Sequence, residues 1–259
     1  MRHSVRFASL GSGSAGNALV VEVNKTRVML DCGFGIGETV SRLSRLGLSP
    51  QDLGGIVVTH EHADHIGGVA GFARKYGVAV WLTHGTLSMW QTNAARLPEY
   101  HLIDSHFSFA IGEMEIQPFT VPHDAREPVQ YVFGDGAKRL GVLTDAGCST
   151  PHIETTLSGC DALVLECNHD ADMLRKSSYP MGLKQRISGR LGHLDNAASA
   201  GLLAKLDQRR LQHVVAAHLS EQNNTPLLAQ TALSEVLNCE QDWVGVADQF
   251  VGFDWREIL

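Results

Sequence analysis

The stretch THEHADHIGG, residues 59–68, limits what this chain can be more than any other part of its sequence. It places four metal-binding side chains within six positions: His60, His62, Asp64 and His65. The apolar run GIVVTH (55–60) leads into this stretch and predicts a buried strand. The histidines are therefore expected at the carboxyl end of that strand, where a loop can gather side chains around an ion.

The spacing within this stretch predicts two ions rather than one. Residues two apart in a loop that leaves a strand can point the same way, so His60 and His62 can share an ion. Asp64 and His65 follow half a turn later and face a different point, as in two-metal hydrolytic sites. Imidazole and carboxylate ligands suit zinc or manganese, with iron(II) as an alternative, better than magnesium or calcium.

Short apolar runs alternate with helix-like segments along the 259 residues, which indicates an α/β fold. The predicted strands are 5–10, 18–23, 27–31, 55–60, 78–83, 113–121, 129–135, 139–145, 161–166 and 211–218. The predicted helices are 37–47, 65–77, 196–206 and 226–237. Strands that are apolar throughout are buried on both faces. We therefore expect one domain, 1–259, in which helices cover two sheets in a four-layer arrangement.

Composition narrows the class of protein. The sequence contains no apolar run long enough to span a membrane, and its first residues lack the apolar core of a secretory signal. Five irregularly spaced cysteines do not indicate a disulfide framework. We therefore expect a cytoplasmic protein with no membrane partner. The net charge of −7 argues, taken alone, against a general nucleic-acid binder.

Three further candidate ligands stand at the ends of predicted strands: His123, Asp145 and His218. With the histidine stretch they form a pattern that resembles the metallo-β-lactamase superfamily along essentially the whole chain. The resemblance implies an αβ/βα sandwich with a dinuclear site. It assigns His60, His62 and His123 to one ion, Asp64, His65 and His218 to the other, and Asp145 to a bridge between them. Asp31, in MLDCG, would fix the histidine loop by hydrogen bonds without touching metal.

The reaction class follows from the ions. Two divalent cations lower the pKa of a water that bridges them, and the resulting hydroxide attacks a carbonyl or phosphoryl centre. Asp64 would steer this nucleophile or take its proton. An electron-transfer role would need a flavin domain, for which the chain has no room, so no organic cofactor is expected.

Two motifs bear on the substrate. The loop in LGSGSAGNALVV (10–21) contains Ser12, Ser14 and Asn17, and its N–H groups either cradle a phosphate or only close a tight turn. The run DALVLECNHD (161–170) ends a predicted strand with Glu166 and His169. Glu166 would orient a metal-bound histidine and His169 would face substrate. The alternative is a surface carboxylate and a histidine without a role.

Basic residues are concentrated in the segment 173–196. It contains Arg175, Lys176, Lys184, Arg186 and Arg190 before its first acidic residue, Asp195. The segment either forms a cationic collar for a polyanion, with Lys184, Arg186 and Arg190 as phosphate contacts, or is a solvated helix face. His193 precedes a helix capped by Asp195, a position that suits a phosphate.

The motifs SGSAGN, LECNHD, GHLDN and AHLSEQNN together resemble the YycJ/WalJ branch of small exonucleases with this fold. That branch is associated with 5′-to-3′ degradation of DNA. The resemblance implies a DNA exonuclease whose catalytic residues are Asp64, Glu166, His169 and His193. The alternatives are a thioesterase or lactonase of the glyoxalase II kind, which the basic segment disfavours, and a non-enzymatic metal-binding scaffold.

Overall fold

The computed structural model describes residues 4–93 and 97–259, and the strands found there form two mixed seven-stranded sheets. Across the first sheet the order is β14 (Phe253–Ile258), β1 (Val5–Gly11), β2 (Ala18–Val23), β3 (Thr26–Leu30), β4 (Gly55–Val57), β5 (Val80–Thr83) and β6 (Tyr100–Ile103). Across the second it is β13 (Gly245–Val246), β12 (His213–Ala217), β11 (Ala162–Glu166), β10 (Arg139–Leu143), β9 (Val129–Gly134), β8 (Met114–Thr120) and β7 (Phe109–Ile111).

Helices connect and cover these strands. They are α1 (Ile36–Arg45), α2 (Ala63–Ile66), α3 (Val69–Tyr76), α4 (His84–Asn93), α5 (Pro151–Leu157), α6 (Ala171–Lys176), α7 (Met181–Ile187), α8 (Asn196–Leu203) and α9 (Pro226–Leu237). Asp195 caps α8, as predicted, and α9 begins at Pro226 with Thr225 as its N-cap. In the described part of the chain, no helix combines the length and apolar composition that a membrane span requires.

Three apolar clusters hold the layers together. The first lies between the two sheets and includes Phe7, Tyr131 and Val215. The second packs the first sheet against α1 and α3, and the third packs the second sheet against α5, α8 and α9. In β1, Val5 and Phe7 belong to the first cluster, whereas Ala8 and Leu10 belong to the second because successive strand residues face opposite sides. The predicted four-layer α/β sandwich is confirmed.

Some predicted boundaries were wrong. The predicted strand 55–60 ends at Val57, and the predicted helix 65–77 is two helices that meet at Gly67 and Gly68. A Cβ atom on Gly68 would lie 1.9 Å from the carbonyl oxygen of Phe34, so the close approach of this turn requires glycine. The C-terminal strand β14 was missed, because an edge strand with the sequence FDWREI has no apolar run.

The fold brings the ends of several parallel strands to one region. Strands β3 and β4 run parallel in the first sheet, and β10, β11 and β12 run parallel in the second. Polar residues at or just beyond the carboxyl ends of these strands are Asp31, His60, Asp145, Glu166 and His218. Open α/β sheets bind ligands at such ends.

Candidate metal centre

Three histidines form the first group of converging nitrogens. His62 Nδ1 lies 3.0 Å from His60 Nε2 and 3.2 Å from His123 Nε2. His60 and His123 are buried, whereas His62 is partly exposed. The three ligand atoms lie within 4.8 Å of one another, which suits one ion.

The outer nitrogens of two of these rings are bound by the protein. His123 Nδ1 lies 3.1 Å from the carbonyl oxygen of Gly192, which can only accept a hydrogen bond. His60 Nδ1 lies 2.9 Å from Thr59 Oγ1, whose proton is donated to Asp31. Both rings therefore carry their proton on Nδ1 and turn the lone pair of Nε2 inward, as metal-ligating histidines do.

The second group consists of Asp64, His65 and His218. Asp64 Oδ2 lies 3.3 Å from His65 Nε2 and 3.5 Å from His218 Nε2. The outer nitrogens are again held, since His65 Nδ1 donates to Asp31 at 2.8 Å and His218 Nδ1 lies 3.2 Å from Glu166. Asp31 thus bonds a histidine of each group, directly in the case of His65 and through Thr59 in the case of His60.

Asp145 lies between the two groups. Its Oδ2 atom is 3.1 Å from His65 Nε2, and its Oδ1 atom is 3.9 Å from His123 Nε2. Asp145 Oδ2 and His218 Nε2 are buried, and although polar atoms of His65 and Asp64 lie nearby, neither atom forms a hydrogen bond of suitable geometry within the described chain. Buried polar atoms normally have a partner, so these two atoms fit a bound cation. The chain therefore contains clusters of histidine and aspartate suited to metal binding.

The backbone is strained at three residues of the centre. The φ angles of Asp31, Asp145 and His218 are 58°, 53° and 56°. These values lie in the left-handed region, which residues other than glycine seldom adopt. Each residue follows a strand end closely, and the reversed backbone turns its side chain toward the centre. Such strain persists where the surroundings enforce it, often at functional sites.

The Gly/Ser loop supports this centre from one side. Asn17 Nδ2 lies 3.3 Å from Asp64 Oδ2 and 3.2 Å from His65 Nε2. Ser12 Oγ donates to Asn17 Oδ1 and accepts from the backbone N–H of His218. Ser12 and Asn17 are both buried, whereas Ser14 is exposed.

Glu166 supports the centre from the other side. Its fully buried carboxylate accepts hydrogen bonds from the backbone N–H groups of Asp145, Ala146 and Leu194. Nδ1 of His193 approaches it at 2.8 Å. His193 is therefore held by a carboxylate that also fixes the backbone of Asp145 and the ring of His218.

The charges within the cluster shift its pKa values. Burial raises the pKa of Glu166, but His193 and the hydrogen bond from His218 outweigh burial and lower this pKa to about 2. Burial lowers the pKa of His218, but Asp145 and Asp64 outweigh burial and raise it to about 10. Burial dominates at His60, whose pKa lies well below its ordinary value. The pKa shift at His60 favours the neutral form that a metal ligand needs, whereas His218 must release a proton when a cation binds.

A groove of about 410 Å³ opens onto the centre. Its walls include seven of the residues that the sequence singled out: Ser14, His62, Asp64, Asp145, Arg186, His193 and His218. Five residues that the sequence placed toward the substrate lie outside its lining: Ser12, Asn17, His169, Lys184 and Arg190. His169 is buried and its Nδ1 lies 3.3 Å from Asn168 Oδ1.

Most of the basic segment is already paired. Arg175 and Lys176 lie 3.1 and 3.6 Å from the carboxylate of Asp172. Lys184 Nζ donates to the carbonyl oxygens of residues 175 and 177. Arg186 Nε donates to Asp124 at 2.6 Å. The segment therefore presents less free positive charge than its sequence suggests.

Sequence reasoning missed Asp124. Its Oδ1 atom lies 3.5 Å from His123 Nε2 and 3.9 Å from His62 Nε2, while Oδ2 binds Arg186. Burial alone would raise the pKa of Asp124, but the neighbouring Arg186 and His123 outweigh burial. The pKa of Asp124 therefore lies below its ordinary value. The sequence signal was its position, directly after the candidate ligand His123.

Comparison with known proteins identifies the family of this chain. The family model described as "Beta-lactamase superfamily domain" matches residues 26–218. Exodeoxyribonuclease YycJ of Bacillus anthracis is 34% identical over 252 residues, which cover 95% of this chain and 93% of the relative. Exodeoxyribonuclease WalJ of Streptococcus pneumoniae is 33% identical over 258 residues, covering 97% and 92%.

A solved structure agrees on the fold. The metallo-beta-lactamase fold protein YhfI from Bacillus subtilis superposes with a TM-score of 0.76 at 14% identity, covering 99% of this chain and 100% of the other. The resemblances drawn from the sequence motifs are thus confirmed. The chain belongs to the metallo-β-lactamase superfamily of hydrolases and, within it, to the family of the exodeoxyribonucleases YycJ and WalJ.

Proposed function

We propose that this protein is a dinuclear metal-dependent phosphodiesterase that degrades DNA from the 5′ end. The observation that carries the proposal is the pair His193–Glu166, at 2.8 Å, beside the two ligand groups in one groove. This arrangement places a proton donor next to an ion site, which phosphodiester cleavage needs. The two full-length relatives named exodeoxyribonuclease support DNA as the substrate.

The two groups of converging atoms support the following assignment. One ion would be held by His60, His62 and His123, the other by Asp64, His65 and His218, and Asp145 would contribute to both. The imidazole and carboxylate donors fit zinc or manganese, and iron is compatible. When bound, the cations supply an activated water and neutralise the charge that develops on the phosphate.

The chain's own residues divide the remaining work. His193 lines the groove, and because Glu166 binds its Nδ1, its Nε2 is left to protonate the leaving oxygen. Glu166 is a positioning residue. Asp64 is held by Asn17 and faces the groove, so it can orient the attacking water.

Two groove residues are suited to the phosphate. Within the described chain, the backbone N–H and hydroxyl of Ser14 have no hydrogen-bond partner, unlike the other N–H groups of residues 12–17. Among the described residues, Arg186 is bonded only through Nε, to Asp124, and both its Nη groups are left for a phosphate. For Ser12 and Asn17, the internal hydrogen bonds support a positioning role instead.

Asp31→Asn is expected to lower metal affinity about 10- to 100-fold, because an amide has a single acceptor oxygen. It cannot accept all three bonds that the carboxylate accepts from Thr59 N, Thr59 Oγ1 and His65 Nδ1. Competition with a chromogenic chelator measures this change. Asp254→Asn, an exposed carboxylate on β14, is the matched control and should leave the affinity unchanged. Equal affinity in Asp31→Asn and wild type would contradict the role of Asp31.

Arg186→Ala is expected to weaken DNA binding and to reduce the slope of log K against log salt by about 1, because one phosphate contact is lost. Fluorescence anisotropy across a salt series measures both quantities. Arg175→Ala removes an exposed arginine that is paired with Asp172 outside the groove, and serves as the control. An unchanged slope for Arg186→Ala would show that Arg186 does not contact a DNA phosphate.

Digestion of 5′- and 3′-labelled single strands and duplexes, with Mn²⁺ or Zn²⁺, tests the whole proposal. We expect stepwise loss from the 5′ end that a chelator abolishes and that an Asp145→Ala variant lacks. Turnover of a thioester by the same preparation, with intact DNA, would instead favour an enzyme of the glyoxalase II kind.

A further inference from the structure

Helix α7 carries apolar side chains that the fold itself does not use. None of its seven residues is buried. Leu183 and Ile187 stand four apart on α7, and Tyr179 stands four before Leu183. Residues at this spacing share one helix face, which Tyr179 extends from the turn before the helix. Across the described residues, none of the three belongs to an apolar cluster of the core.

These three side chains instead line the groove of the metal centre. Tyr179, Leu183 and Ile187 form one wall, and His62, Asp64 and His218 belong to the same groove. Tyr179 and Ile187 are half-buried, and Leu183 is 36% exposed. The groove therefore combines an apolar wall with a polar centre that attracts anions once cations are bound. Its ligand should be anionic at one end and flat and apolar at the other.

A phosphodiester backbone alone does not match this description. It is polar and charged along its whole length, and binding it requires only cations and N–H donors. A nucleotide does match, because its base offers a flat face that stacks on aromatic and apolar side chains. Arg186 lies on the same helix, next to Ile187, so a phosphate contact and the apolar wall are adjacent.

We propose that Tyr179, Leu183 and Ile187 form a base-binding wall that receives the unpaired base of the nucleotide at the strand end. This inference rests on the proposed function and extends it, since it makes the terminal base, as well as the phosphate, part of what is recognised. A base inside a duplex stack has its faces covered by its neighbours. An end whose terminal nucleotide is frayed or single-stranded is therefore the form that fits the wall.

The test compares two single strands that differ only in the 5′-terminal nucleotide, which either carries its base or is abasic. With phosphorothioate linkages that resist cleavage, anisotropy measures binding to the Mn²⁺-loaded protein. We expect wild type to bind the base-bearing strand about fivefold to 150-fold more tightly. Tyr179→Ala should bring this ratio close to one, whereas Tyr179→Phe, which keeps the ring, should preserve it.

Met181→Ala is the matched control. Met181 is apolar, 67% exposed and on the same helix, but it lies outside the groove lining, so the ratio should stay at the wild-type value. Equal binding of the two strands by wild type, or a ratio that survives Tyr179→Ala, would overturn the base-binding wall.

Parallel digestion of the same strands with natural linkages separates the two proposals. Metal-dependent cleavage at the same rate with and without the terminal base would support the exonuclease activity and contradict the base-binding wall. If binding depends on the terminal base and Tyr179→Ala removes this dependence, but no DNA is cleaved, the exonuclease activity is contradicted. The base-binding wall is then supported as a nucleotide site.

Discussion

Asp145→Ala is expected to abolish the retention of divalent ions and to reduce DNA cleavage by at least about 10²- to 10³-fold, the scale for losing one preorganised group that stabilises the transition state. Asp145 approaches both histidine groups directly, through His65 and His123, whereas Asp31 reaches the first group only through Thr59. Without it, the histidine nitrogens that converge at the centre lose the negative charge that offsets two cations. Neither ion site is then complete.

Metal analysis after gel filtration and initial rates on labelled DNA measure these losses. Asp145→Asn keeps the shape and one oxygen but removes the charge, and should also lose most activity if charge is what matters. Asp172→Ala, an exposed aspartate on α6, should keep metal content and rate. Full metal retention by Asp145→Ala would show that the two groups bind ions independently and that Asp145 does not connect them.

The histidine loop could be predicted because the sequence signals for it lie next to one another in the chain. An apolar run predicts a strand, and residues just after a strand end occupy a limited region of space. The same argument found His123, Asp145 and His218, which lie far apart in sequence but at the ends of strands. Parallel strands bring those ends to one side of each sheet. The layers followed from the same pattern of apolar runs.

Pairings between distant side chains could not be predicted in this way. Arg186 and Asp124 are 62 positions apart, and nothing local indicates that they meet. The sequence showed a run of basic residues, but the fold supplies carboxylates or carbonyl oxygens to most of them. Whether a polar residue faces a groove or a neighbour depends on the packing of side chains, as the contrast between exposed Ser14 and buried Ser12 illustrates.

His193→Ala and Glu166→Gln are expected to lower kcat on DNA by about 10²- to 10⁴-fold, the range for loss of a general acid. In Glu166→Gln an amide N–H₂ replaces one carboxylate oxygen and faces N–H donors such as those of Ala146 and Leu194. Unsatisfied donors of this kind cost about 1–3 kcal/mol each, so this variant should also unfold at a lower temperature.

A double variant distinguishes a residue that acts through His193 from one that acts independently. If Glu166 works by holding His193, the variant with both changes should be no slower than His193→Ala, because residues that act as a unit are not additive. Metal content must be measured in parallel, since Glu166 also contacts His218. Multiplied losses with full metal content would show that Glu166 has a separate role.

The leaving group provides an independent check on the proton donor. Bis-p-nitrophenyl phosphate releases an anion that is stable without a proton, whereas DNA releases a sugar alkoxide that needs one. His193→Ala should therefore slow cleavage of DNA far more than cleavage of the nitrophenyl ester. Asp145→Ala should slow both, because it removes the ions that either reaction requires. Equal losses on the two substrates in His193→Ala would mean that His193 binds the phosphate rather than delivering a proton.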